Sequence, residues 1–103
     1  MGRGMGMAAL RVLQAVDAGA EYGFDIIDAT GLPSGTVYPA LSRHEQDGYV
    51  RSSWEDPVKA HRERRPPRRY YRVTAEGRRA LAAVLDLLGA QTARRGKTVK
   101  ARG

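Results

Sequence analysis

Residues 30–48 read TGLPSGTVYPALSRHEQDG, and this stretch decides the fold. Thr30–Gly35 is turn-like, with two glycines and a proline. A helix starts at Pro33 or Ser34, since proline suits a first helical position and serine an N-cap. Val37, Leu41 and His44 then recur at i, i+4, i+7 and form one face. Thr36, Pro39, Ser42, Arg43 and Gln46 lie on or near the other. Pro39 cannot donate a backbone hydrogen bond, which predicts a bend early in the helix. Asp47-Gly48 ends it.

Upstream, Ala9, Leu10, Leu13 and Val16 share a helical face in a helix starting near Met7, with Gly19 at its C-terminal cap. A short second helix is predicted from Tyr22 to Ala29, with Phe24 and Ile27 inward, Asp25 and Asp28 outward, and Gly31 as its stop. The opening MGRGMG is glycine-rich and reads as loose. Downstream, the period changes to two. Val50, Ser52 and Trp54 alternate with Tyr49, Arg51 and Ser53, as in a half-buried strand. Residues 56–67, DPVKAHRERRPP, hold three prolines and read as a loop. Arg69–Val73 returns as a second strand, with Tyr71 and Val73 on one face. Thr74 is a suitable N-cap for a last helix, and Glu76 suits its positive end. That helix carries Leu81, Val84, Leu85 and Leu88 as an apolar stripe. Residues 92–103 carry five basic and no acidic side chains and read as a disordered tail.

Composition narrows the function. The 103 residues fit one small domain with little stability to spare. No apolar run approaches the roughly 20 residues of a membrane span, the N-terminus lacks a signal peptide's apolar stretch, and there are no cysteines for disulfides or thiolate metal sites. A soluble, cytoplasmic protein without membrane contact is expected. Charge is uneven. Residues 1–50 hold three basic and six acidic side chains, a net of −3, whereas residues 51–103 hold fifteen and five, a net of +10. Such asymmetry marks a surface for polyanions, nucleic acid above all.

Three helices followed by a hairpin are the layout of a winged helix-turn-helix. The expected fold class is therefore mainly α with a small β-hairpin wing. The DNA-binding domain is expected over 7–74, a C-terminal dimerisation helix over 75–92, and the basic tail over 93–103. The third helix would enter the major groove of double-stranded DNA, with Ser34, Thr36, Tyr38 and Ser42 as hydrogen-bonding groups and Arg43 positioned to pair with guanine. Six arginines stand between Arg62 and Arg72 against one acid. Of these Arg64, Arg65, Arg68 and Arg69, with Tyr70, are the candidate phosphate contacts. Leu81, Val84, Leu85 and Leu88 exceed what a small core needs. The expectation is that they pair with the first helix of a second copy, through Leu10 and Leu13, and with their own twin, to give a homodimer spanning two half-sites. Trp54 is given a structural role, at that junction or lining a cavity there.

The run TGLPSGTVYPALSRHEQDGYVRSSWE, followed by PPRRYYRVTAEGRRAL, resembles the PadR family of bacterial transcriptional regulators, and EYGFDII resembles its second helix. The resemblance covers about residues 20–82. It implies a winged helix-turn-helix with a dimerising C-terminal part, and repression through a pseudo-palindromic operator. For some members it implies release from DNA by a small hydrophobic or phenolic effector. Position by position, Thr36, Tyr38 and Pro39 match the DNA-facing motif. Arg68, Arg69, Tyr70 and Tyr71 match the wing motif, and Thr74, Glu76 and Gly77 match the start of the last helix. The family usually has leucine where this chain has His44. Nothing in the pattern implies a cofactor, a metal site or catalysis. His44 and His61 have no nucleophile or ligand set around them, and GLPSGT lacks the lysine of a nucleotide-binding loop. Charge alone leaves two other readings open: a general nucleoid or RNA-binding protein, and an interaction module for an acidic partner.

Overall fold

A computed structural model describes the backbone of residues 5–100 and the side chains of residues 5–89. Residues 1–4 and 101–103, which include most of the glycine-rich start and the end of the basic tail, lie outside the described residues. The element order is α1 (Met7–Asp17), α2 (Gly23–Thr30), α3 (Ser34–Gln46), β1 (Val50–Trp54), α4 (Pro57–Arg62), β2 (Arg69–Val73) and α5 (Ala75–Lys100).

α1 is the centre. It touches α2, α3, β2 and α5, so it buries more than the single face that its periodicity suggests. Val12 and Ala15 are buried beside Leu10, Leu13 and Val16. Each fully buried aliphatic side chain contributes on the order of 1.5–3 kcal/mol. Ile26, Val37, Leu41, Val50, Val73 and Leu81 complete the same core. In α2 the inward residue is Ile26, with Thr30 buried one turn on, while Phe24 is 74% exposed. The expected inward placement of Phe24 is therefore wrong. The buried spacing is i, i+4, and Thr30 makes it possible because its Oγ1 donates to the Ile26 carbonyl oxygen at 2.7 Å. Gly31 ends α2 in the left-handed region, φ 71°, where a side chain would be strained.

The hairpin pairs β1 with β2 antiparallel, Val50 opposite Val73 and Trp54 opposite Arg69. Val50 and Val73 face the core. Its connection is not all loop as expected. α4 forms because Asp56 accepts the Val58 backbone N–H at 2.9 Å as an N-cap and Pro57 occupies the first turn, where no N–H is needed. Ala60 on α4 is fully buried. Trp54 is 67% exposed at the end of β1, with the Arg69 guanidinium 5.6 Å from its ring centroid.

Thr74 caps α5 as expected, its Oγ1 accepting the Gly77 N–H at 2.9 Å and donating to the Gly48 carbonyl at 2.6 Å. A side chain at Gly77 would collide with the backbone carbonyl of Tyr49, which explains why glycine stands there. α5 continues to Lys100, past the end expected near residue 92. Residues 93–100 contain no proline, and five of the eight are Ala, Arg or Lys, which favour helix whatever their charge.

Candidate nucleic-acid interface

α3 divides by face. Val37, Leu41 and His44 are buried, whereas Ser34, Gly35, Tyr38, Pro39, Ser42 and Arg43 are exposed and Thr36 is half-buried. Arg43 is free to reach outward; its side chain is 62% exposed and only loosely tied to Asp47, at 4.0 Å. Tyr38 lies across the start of α2. A methyl group built on Gly23 would sit 2.6 Å from the Tyr38 ring carbon Cε1 and closer still to its hydroxyl. Gly23 thus lets the ring pass and sets how α3 rests on α2.

His44 occupies the core side of α3, 2% exposed. Its Nε2 donates to the Ala9 carbonyl oxygen at 2.8 Å, and its Nδ1 has no partner. Burial holds its pKa below the usual 6.5, with the Ala9 bond and Asp47 opposing and Arg43 assisting.

The wing is organised by a residue that charge counting passed over. Glu55 is buried, 6% exposed. It accepts Arg65 Nη1 and Nη2 at 2.6 and 2.7 Å, the Arg68 backbone N–H at 3.1 Å and the Tyr70 hydroxyl at 3.3 Å. The bidentate Arg65 bond is the largest reason its carboxyl is held down to about 2. Arg65 also donates to Glu63 at 2.9 Å and is itself mostly covered. Arg65 and Tyr70, expected to face phosphate, are therefore committed inside the wing. The Tyr70 ring packs edge-on against Tyr22, with centroids 5.7 Å apart. The signal available in the sequence was a glutamate directly after the first strand of an arginine-rich hairpin.

The other wing cations are outward. Arg68 stacks its guanidinium 4.2 Å over the Tyr22 ring and has no carboxylate partner among the described residues. Arg64 is exposed and holds φ 57° at the turn out of α4. Arg69 spans the hairpin and α3. It donates to Ser52 Oγ at 2.8 Å and to Glu45 Oε1 at 3.3 Å, while Ser52 Oγ donates to Glu45 Oε2 at 2.6 Å. This bridge ties the hairpin to the C-terminal half of α3. The sequence gives Glu45, Ser52, Tyr22 and Gly23 no part in the interface, because each acts through a neighbour distant in the chain.

The expected dimer residues separate into two groups. Leu10, Leu13 and Leu81 belong to the chain's own core and are not available to a partner. Val84 is half-buried, while Leu85 and Leu88 are 39% and 37% exposed, joined by Leu87 at 64%. An amphipathic pattern reports a buried face without saying what buries it. Among the described residues no helix is long and apolar enough to cross a membrane.

The profile of the Transcriptional regulator PadR-like family matches residues 12–83. No curated protein sequence matches the chain. Among solved structures it is similar to a PadR-like transcription factor from Bacteroides fragilis, at 25% identity over 96% of this chain and 92% of that one, TM-score 0.69. It is also similar to a PadR family transcriptional regulator from Eggerthella lenta, at 26% identity over 90% and 80%, TM-score 0.68. BpsR of Bordetella bronchiseptica, whose DNA binding is regulated by 6-hydroxynicotinic acid, shares the fold at 19% identity, TM-score 0.69; the chain spans 59% of its length. The architecture is a winged helix-turn-helix.

Proposed function

Because the chain belongs to the PadR-like family of transcriptional regulators, we propose that it is a sequence-specific repressor that binds a pseudo-palindromic operator as a homodimer. The observation that carries this reading is the Arg69–Glu45–Ser52 bridge. It ties the hairpin to the recognition helix, so that the two are offered to a duplex as one unit. Ser34, Thr36, Tyr38, Pro39, Ser42 and Arg43 enter the major groove, and Arg64, Arg68 and Arg69 take flanking phosphates. Arg69 exchanges Glu45 for a phosphate oxygen when it does so. Arg65 and Tyr70 support the wing from within.

The homodimer forms through α5. Leu85, Leu87 and Leu88 stand exposed on a helix 26 residues long, about 39 Å at 1.5 Å per residue. Three neighbouring leucines in water make an interface-like patch. Residues 7–74 then form the DNA-binding unit and α5 the dimerising element. A two-fold pair presents two recognition helices to half-sites roughly 34 Å apart. The test is selection of bound sequences from random duplex DNA by the purified chain. An inverted repeat with that spacing is expected, and recovery of unenriched sequence would overturn the reading.

A further inference from the structure

Between the hairpin, the end of α1 and the start of α5 is a cleft of about 770 Å³. Its floor carries Arg51 and Arg72, which stand directly opposite one another across the two strands. Like charges in that position repel. Neither arginine has a carboxylate partner among the described residues, and neither does Lys59, which reaches the cleft from α4. A fourth cation, Arg78 of α5, is already engaged by Asp17 at 3.7 Å. Glu21 is the only other carboxylate on the lining among the described residues. Three unneutralised cations thus surround a concavity whose size falls in the range of small-molecule sites, about 300–1,000 Å³.

We propose that this cleft binds a small multivalent oxyanion, such as a phosphorylated or polycarboxylate metabolite. Two facing guanidinium forks can each take a pair of oxygens from one ligand, which turns their mutual repulsion into shared attraction. Lys59 supplies a third charge from the wall. A singly charged acid satisfies only one of the forks. The ligand chemistry differs from the hydrophobic or phenolic effector that the family resemblance implies, and the binding claim stands apart from the DNA reading.

The test is calorimetric titration of the full chain with pyrophosphate and with citrate, at constant ionic strength, with acetate as the singly charged comparison. Saturable binding of one pyrophosphate or citrate per chain is expected, with acetate weaker. The double variant Arg51→Gln/Arg72→Gln should lose roughly tenfold or more in affinity, since each charge-assisted bond removed is worth about that factor. It should melt no lower than the wild type, because it removes a repulsion. Lys59→Gln should lose less, and Arg79→Gln, an exposed ion-paired arginine elsewhere on α5, should bind as the wild type does. Absence of saturable binding, or equal binding by the double variant, overturns the proposal. So does a parallel loss of random-duplex binding in that variant, which would make the cleft part of the DNA surface.

Discussion

Gly23→Ala is the substitution that most sharply separates positioning of the recognition helix from stability of the fold. The added methyl would lie 2.6 Å from the Tyr38 ring carbons Cε1 and Cζ. Carbon atoms in contact prefer about 3.5–4.0 Å, so the ring must retreat by about 1 Å. Were the ring confined, the overlap would cost about 1–3 kcal/mol. Tyr38 is 46% exposed, however, and can swing outward instead. Alanine also favours helix over glycine by up to about 1 kcal/mol, which offsets part of the strain. The expected net change in stability is therefore below about 1 kcal/mol. The consequence falls on DNA: with Tyr38 displaced from the face of α3, affinity for the selected operator should drop about tenfold, or 1.4 kcal/mol. Binding to a scrambled duplex, which rests on wing phosphate contacts, should hardly change. Fluorescence anisotropy on both duplexes, with circular dichroism melts alongside, measures this. Gly23→Ala combined with Tyr38→Ala should bind no worse than Tyr38→Ala alone, because the methyl acts only through that ring. Losses that multiply in the double variant, or a Gly23→Ala protein with wild-type specificity, would refute the reasoning.

Other substitutions probe the remaining parts of the account. Arg64→Ala and Arg68→Ala should each flatten the salt dependence of DNA binding by about 1 in log–log slope, whereas Arg65→Ala should leave the slope intact and lower the melting temperature by stranding buried Glu55. Because the Glu55 carboxyl is held from an ordinary 4.5 down to about 2, its contribution is present above pH 4.5 and disappears as pH falls towards 2, which an acid melting series reads directly. His44 is held neutral below its usual 6.5; the unfolded chain takes up the proton first, so stability falls as pH drops below 6.5, and His44→Leu should flatten melting temperature between pH 7 and pH 5. Leu87→Glu should give folded monomers in sedimentation, since Leu87 is exposed in the single chain, whereas Leu13→Ala should cost about 2–5 kcal/mol of fold stability as a cavity in the core.

The elements that were legible in the sequence are those whose causes are local. Gly31 marked the end of α2 because only glycine readily takes φ 71°. Val37, Leu41 and His44 marked the inner face of α3, and Thr74 marked the start of α5 through its own hydroxyl. α4 was missed because three prolines were read together, although their effect depends on position. Pro57 opens a helix, and Pro66 and Pro67 follow its end. Phe24 was misplaced because α2 is short enough for two spacings to fit, and a buried threonine decided between them.

In the candidate interface, the outer face of α3 was legible from residue type and periodicity. The division of labour among the arginines was not. Arg65 and Arg68 look alike in the chain, and only the return of α4 brings Glu55 beneath one of them. The leucines of α1 and α5 posed the same problem in apolar form. Periodicity shows that Leu13 and Leu88 lie on apolar faces, but the number of elements packed around α1 is a property of the assembled fold.

The central claim is that α3 reads sequence while the wing supplies charge. The most direct test is the affinity of the purified chain for its selected inverted repeat and for a scrambled duplex of equal length, each at two salt concentrations. The account predicts a preference on the order of 10³ or more for the repeat, kept at the higher salt while both affinities fall. Equal affinities that fall together would leave a basic protein bound to phosphate alone, and would contradict it.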